Sequence, residues 1–382
     1  MIRFLTAGES HGPALTTIVE GAPAGVSVDA EGLSEELARR RLGYGRGPRM
    51  KLERDEVEIL GGVRFGRSLG GPISVAIRNT EWERWSEEMS PSEGAARKVM
   101  TAPRPGHADL PGMMKYGTHD ARDILERASA RETAARTVAG HVAKMLLAEV
   151  GITVLSHVVR IGSVAAEPTL PAPEDLEAID ASPVRSNDPS TVEAMTDLIE
   201  AAKHDRDTLG GVVEVLAYGV PVGIGSHVHW DRRLDAAIAG ALMSIQGIKG
   251  VEIGDGFASA ARPGSEAHDE IYPGDGRYER RTNRAGGIEG GISNGDIIRA
   301  SAAMKPISTL MRPLATVDVT TGEVSVAFKE RSDVCAVPAA GVVAEQMVAI
   351  VLAAEMQRVY GGDTVDAFVE ADAAHRRRLS EF

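Results

Sequence analysis

DARDILERASARETAARTVAGHVAKMLLAEVG, residues 120–151, is the stretch on which the fold turns. Its apolar positions Ile124, Ala128, Ala135, Val138, Val142, Met145 and Leu146 recur at helical spacing. They predict one long helix from about Asp120 to Val150, with Asp120 as cap and Gly151 as stop. Alanine and glycine dominate the segment, so neighbours can approach closely, and it reads as a buried central helix. Downstream, ITVLSHVVRIGSV (152–164) and GVVEVLAYGV (211–220) read as strands, and VEAMTDLIEAAKHD (192–205) and LDAAIAGALMSI (234–245) as helices. ATVDVTTGEVSVAF (315–328) predicts a hairpin turning at Thr321-Gly322. VPAAGVVAEQMVAIVLAAEMQRVYGG (337–362) is a last long helix with Pro338 in its first turn. Upstream, a helix near Ser34–Arg41 takes Ser34 as its N-cap, and VEILGGV (57–63) and ISVAIRN (73–79) read as strands across a glycine-rich turn. Helices and strands interleave, but several strands pair through short turns. The expected class is therefore α+β with antiparallel sheets rather than a regular doubly wound sheet. AAEPTLPAPEDL (165–176) is expected as an exposed connection inside a single domain spanning 1–382, and HRRRL (375–379) as a solvated tail.

Composition narrows the function classes. The 382 residues are 43% hydrophobic and 25% charged, which fits a packed globular chain and excludes disorder throughout. No uninterrupted apolar run reaches the roughly 20 residues that span a bilayer, so no membrane partner is expected. MIRFLTAGESHG lacks a charged-then-apolar leader pattern, and a cytoplasmic setting is expected. The lone Cys335 excludes an internal disulfide framework and a multi-thiolate metal centre. A net charge of −13 argues against nonspecific nucleic-acid binding. The cations are nevertheless lopsided towards arginine, and five arginines fall in RRRLGYGRGPR, residues 39–49. Arginine presents a planar fork suited to carboxylate and phosphate.

Several segments carry chemistry. GESHGP (8–13) holds Ser10 and His11 between glycines, and histidine changes charge near neutral pH. In RRRLGYGRGPR, Arg40 stands near a helix end while Arg46 and Arg49 stand on a glycine-punctuated loop that can wrap one multiply charged anion. RPGHAD (104–109) sets His107 beside Arg104 and Asp109. ERASARET (126–133) places Arg127 and Arg131 four apart on the expected helix, where two like charges on a buried face call for an anion. His227 and His229 lie at strand alternation before Asp231, but without a third clear ligand they make a weak metal pair, and no metal is expected. NRAGGIEGGISNG (283–295) is glycine-dense, KPIST (305–309) is phosphate-compatible, and RSDVC (331–335) places Arg331 and Asp333 just before the last helix. No GxxxxGK[ST] loop occurs. Together the segments indicate a polyanionic small substrate and a phosphate-bearing cofactor, and the residues alone do not name the reaction.

In this order the segments resemble chorismate synthase. TAGESHGPAL, RRRLGYGR, RPGHADLPGMMKYG, DARDILERASARETAAR, VPVGIGSHVHWDRRLDA, KGVEIGDGF, NRAGGIEGGISNG, AMKPIST and RSDVCAVPAAGVVAEQM carry the likeness over about residues 1–360. The resemblance implies a β-α-β sandwich, with central helices between two antiparallel sheets, assembled as a homotetramer. It implies a lyase that converts 5-enolpyruvylshikimate 3-phosphate to chorismate by 1,4-anti elimination, with reduced FMN required though no net redox change occurs. An enzyme that also reduces FMN with NADPH is the alternative. Carried over by position, His11 would assist departure of the substrate phosphate, His107 would stabilise charge on the reduced flavin, and Asp333 would manage a proton near its N5. Ser10, Arg40, Arg46, Arg49, Arg131 and Arg331 would bind substrate. Arg127, Ala128, Ser129, Gln246, Gly247, Gly290, Lys305, Pro306, Ile307, Ser308 and Thr309 would hold FMN, with Arg331 touching both ligands. Ser332 and Val334 depart from the RHDPC common in the family, and KPIST departs from its usual KPTxS.

Overall fold

The computed structural model describes residues 1–47, 55–274, 277–330 and 332–382. Two antiparallel sheets enclose helices, as the fold class anticipated. The first sheet comprises β1 (Arg3–Ala7), β2 (Ala14–Glu20), β3 (Glu56–Gly61) and β4 (Ile73–Arg78), in the order β1-β2-β4-β3. The second comprises β5 (Thr153–Ile161), β6 (Val164–Ala165), β7 (Gly211–Tyr218), β8 (Ile248–Ile253) and β9 (Ile298–Met304), in the order β8-β9-β7-β5-β6. Against their facing sides pack α1 (Ala30–Arg39), α4 (Thr133–Ala148), α6 (Leu234–Met243) and α7 (Val337–Tyr360), with α4 and α7 at the centre; α2 (Asp109–Tyr116) packs on α3 (Arg122–Ala128), α5 (Pro189–His204) on β6, and α8 (Val365–Ser380) on α7. Alternation on β2 turns Leu15, Thr17 and Val19 towards α4, where the Thr17 hydroxyl donates to the Ala135 carbonyl at 2.8 Å. One apolar core joins residues of both sheets and both central helices, on either side of the 165–176 connection. α7 is long and apolar enough to cross a membrane by length and composition, but most of it is buried between the layers.

Small residues permit this packing. A Cβ built on Gly140 of α4 would stand 2.2 Å from Gln346 Cβ and 2.6 Å from Gln346 Cα on α7. A Cβ on Gly341 would stand 2.8 Å from Ser156 Oγ on β5. Glycine in a helix interior ordinarily costs about 0.5–1 kcal/mol relative to alanine. At Gly140 the sign reverses, because the neighbour is backbone and the helices must part. Gly140→Ala is expected to destabilise the fold by about 1–3 kcal/mol, read as a lower urea midpoint. A raised midpoint would mean that the helices do not meet there.

The structure corrects four local expectations. The long helix is broken: α3 ends at Ala128, Ser129 is extended (φ −64°, ψ 141°), a 3₁₀ turn covers Ala130–Glu132, and α4 begins at Thr133. Competition for hydrogen bonds explains the break. The Glu126 carbonyl, which an unbroken helix would give to Ala130, accepts the Ser10 N–H at 3.0 Å, and the Ser129 hydroxyl accepts from the Arg131 N–H at 3.3 Å. The first helix begins at Ala30 under Asp29, whose carboxylate accepts from the Gly32 N–H. Ser34 lies inside it and its hydroxyl bonds back to the Ala30 carbonyl. The 152–164 strand is interrupted between Ile161 and Val164. Residues 375–379 belong to α8, where Arg376 pairs with Asp372 and donates to the Gly219 carbonyl.

Candidate active site

A cavity of about 420 Å³ opens where the β1–β2 loop, the end of α1, the 104–109 loop, the Ser129 break, the 305–309 segment and the start of α7 converge. Each loop is tied in place. Gly8 (φ +101°) turns the chain where a Cβ would stand 2.3 Å from the Ala14 carbonyl oxygen. The Asn79 amide then donates to the Ser10 and Gly12 carbonyls at 2.9 and 3.0 Å, which sets His11 on the cavity wall. Gly106 (φ +76°) turns the second loop, and its carbonyl accepts from Lys305 Nζ at 2.7 Å and Ser308 Oγ at 2.8 Å. The 305–309 segment is thereby fastened beside His107.

Most of the expected site residues meet here. Ser10, His11, Arg40, Arg46, His107, Ala128, Ser129, Arg131, Gln246, Gly247, Lys305, Pro306, Ile307, Ser308, Thr309 and Asp333 all line the cavity. Arg127 and Gly290 do not. The helix break separates Arg127 from Arg131, so the two do not share a face. Arg127 is half-exposed and donates to the Thr6 and Gly8 carbonyls, whereas Arg131 is buried. Gly290 lies in the tight turn between Ile288–Glu289 and Ile292–Ser293. Arg49 and Arg331 lie outside the described residues. His229 pairs with Asp231 on the surface.

The wall is cationic and its counter-charges stand largely behind it. Arg40, Arg46, Arg104, Arg131 and Lys305 line the cavity. Behind Arg40 and Arg131 sits buried Asp55, in contact with both guanidinium groups. Burial raises its pKa, but the Arg131 and Arg40 charges outweigh this and hold it below the usual carboxylate range. Asp109, fully buried, binds Arg104 Nε at 2.8 Å, accepts the Arg104 N–H at 3.1 Å and makes a short contact with His107 Nδ1. Burial opposes its ionisation, yet the hydrogen bonds from His107 and Arg104 bring it to about 2. Glu126 backs His11 in the same manner, with Oε1 at 2.9 Å from Nδ1. On the wall itself Asp333 pairs with Arg46 at 2.8 Å and accepts the Gly47 N–H at 2.6 Å. The chemistry available is therefore recognition of a polyanion by guanidinium groups and proton exchange at two histidines.

Sequence reading passed over Glu126, Asp55 and Glu330. Asp55 sits in a mixed charge run, KLERDEVE, with no local pattern to single it out. The helix break had a visible signal, because Ser129-Ala130-Arg131-Glu132 has the S-x-x-E spacing of a helix start. Gln246 carries a further clue: its Nε2 donates to Glu132 at 2.9 Å, while its buried Oε1 has no hydrogen-bond partner among the described residues.

Comparison with known proteins places the chain in a family. The family model described as chorismate synthase matches residues 2–357. A chorismate synthase of Frankia alni is 61% identical over 378 residues, covering 96% of each chain. One of Thermobifida fusca is 59% identical over 376 residues, again covering 96% of each. A solved crystal structure of chorismate synthase matches with a TM-score of 0.80 at 42% identity, covering 100% of this chain and 99% of that one. A family model over nearly the whole chain, joined to relatives of such identity and coverage, means that this chain belongs to the chorismate synthase family.

Proposed function

We propose that the chain eliminates phosphate from 5-enolpyruvylshikimate 3-phosphate to give chorismate, with reduced FMN bound beside the substrate. One observation carries the reading: a cationic cavity holds two histidines, each backed by a buried carboxylate. The substrate bears two carboxylates and a phosphate, which Arg40, Arg46 and Arg131 complement. The reaction balances without net redox. The C6–H electron pair becomes a ring double bond, the existing double bond shifts, and the C3–O pair leaves on phosphate. His11 would give the departing phosphate its proton, and the C6 hydrogen would leave as a proton that Asp333 manages. Turnover would require Asp333 to exchange its Arg46 contact.

The wall fits a flavin phosphate. Gln246 Oε1 is a buried acceptor that can take an N–H donor, Gly106 and Gly247 lie on the lining, and Lys305, Ser308 and Thr309 supply phosphate-compatible groups. Ala128, Ser129, Gln246, Gly247 and residues 305–309 would hold it. When bound, the reduced flavin supplies electron density transiently to the substrate. Leu5 and Ile18, opposite one another on the outer face of the first sheet, are exposed, as is Leu60. Exposed apolar side chains there support assembly into a homotetramer.

The decisive experiment is anaerobic phosphate release from 5-enolpyruvylshikimate 3-phosphate with and without reduced FMN. Equal amounts of phosphate and chorismate, formed only with reduced FMN, are expected. No release, or release indifferent to FMN, overturns the reading.

A further inference from the structure

Glu126 stands out because more of the site depends on it than its position explains. It is on α3, 3% exposed, and behind the cavity wall rather than on it. Its Oε1 and Oε2 lie 2.9 and 3.1 Å from His11 Nδ1, and Oε2 accepts the His11 backbone N–H at 2.8 Å. Arg122, one helical turn earlier, donates to Oε1 at 2.8 Å and is itself paired with Glu330 at 3.1 Å. Trp85 packs between the partners: its ring centroid is 4.0 Å from that of His11, and Arg122 lies over it at 4.9 Å. His107 repeats the construction, with Asp109 at Nδ1 and Arg104 behind Asp109. Each histidine of the site therefore has a carboxylate on the same ring nitrogen and an arginine holding that carboxylate ionised.

We propose that Glu126 is a positioning residue for His11, keeping Nδ1–H turned away from the cavity so that Nε2 is the atom that meets the departing phosphate. The inference rests on the reading above, in which His11 serves that phosphate. The step is a proton transfer: the imidazolium gives its Nε2 proton to the phosphate oxygen as the C3–O bond breaks with its electron pair on oxygen. Nδ1–H stays on Glu126 throughout, and water restores the Nε2 proton. A fixed carboxylate on Nδ1 selects the ring orientation and leaves Nε2 facing the cavity to carry the transferred proton. Burial opposes ionisation of Glu126, but the His11 hydrogen bond and the Arg122 contact outweigh it and keep the carboxylate charged.

The test is a double-mutant cycle between Glu126→Gln and His11→Ala, assayed anaerobically with 5-enolpyruvylshikimate 3-phosphate and reduced FMN. Glu126→Gln should lower kcat by about 10- to 100-fold while leaving KM for the substrate and Kd for FMN within about threefold. In the His11→Ala background the same change should cost less than about threefold, because the residue through which it acts is gone. A further full loss in that background overturns the proposal and makes Glu126 a support for the loop. So does wild-type kcat in Glu126→Gln. The amide variant keeps its shape and leaves Arg122 paired with Glu330, so folding is expected, checked by thermal unfolding. Should it not fold, Glu126→Gln/Arg122→Met removes the ion pair as a unit and takes its place in the cycle. Failure of the parent reading looks different: the unmodified protein then releases no phosphate at all.

Discussion

His107→Ala is expected to lower kcat for chorismate formation by about 10²- to 10⁴-fold while KM for the substrate changes by only a few-fold. His107 stands half-buried on the cavity wall with Asp109 and Arg104 as its partners, whereas Arg40 and Arg131, joined through Asp55, are the groups that would bind the substrate anions. Its loss removes a proton-bearing group without removing a counter-charge from the substrate. Nor should the fold suffer. Asp109 keeps Arg104 as a two-pronged partner, so no buried carboxylate is left alone. The measurement is anaerobic steady-state turnover with reduced FMN over a range of substrate concentrations. Wild-type kcat would remove His107 from the mechanism; a large rise in KM at constant kcat would reassign it to binding.

How far the sequence carried the reading depended on the range over which each feature is determined. Helices and strands came from spacing within ten or twenty residues, so α7, β7 and the 315–328 hairpin fell close to their expected bounds. The misreading that matters most for the site has a long-range cause. An unbroken helix over 120–150 is right by local periodicity, but the bond that ends it comes from Ser10, more than a hundred residues away. That break governs the site, since it moves Arg127 to the surface and leaves Arg131 on the cavity wall. The same logic hid Glu126 and Asp55. A carboxylate becomes a histidine's partner or an arginine bridge only after the chain folds back on itself, whereas His11, His107 and the arginine loop stood out through their own chemistry and neighbouring glycines. Arg49 and Arg331, read from those motifs, fall outside the described residues.

Glu345 illustrates the same long-range dependence and carries the largest expected effect on stability. It is fully buried in α7, where its carboxylate accepts from Arg39 at 2.7 and 3.1 Å, Arg185 at 3.1 Å, Lys144 at 3.2 Å and the Ser156 N–H and hydroxyl at 3.0 and 2.8 Å. Glu345→Gln keeps the volume and removes the charge, leaving three cations around a neutral amide. Breaking a buried ion pair from one side typically costs about 3–5 kcal/mol. Glu36 and Asp180 still hold Arg39, and Asp180 still holds Arg185, so a loss near about 3 kcal/mol is expected, read from urea unfolding. The pH dependence fixes the origin of the loss. Burial pushes the Glu345 pKa up, but Arg39, Lys144 and Arg185 outweigh it and hold the folded value below the ordinary one. A depressed carboxylate contributes stability above its unfolded pKa of roughly 4.3, and that contribution fades as pH falls through the folded value. Below about pH 4 the unmodified protein should therefore lose stability more steeply than Glu345→Gln, and the two curves should converge. Parallel curves would assign the loss to packing rather than charge. The consequence reaches the cavity because Arg39 ends α1 and Arg40 follows it on the wall: once the anchor is neutral, KM for the substrate should rise even at a pH where the variant remains folded.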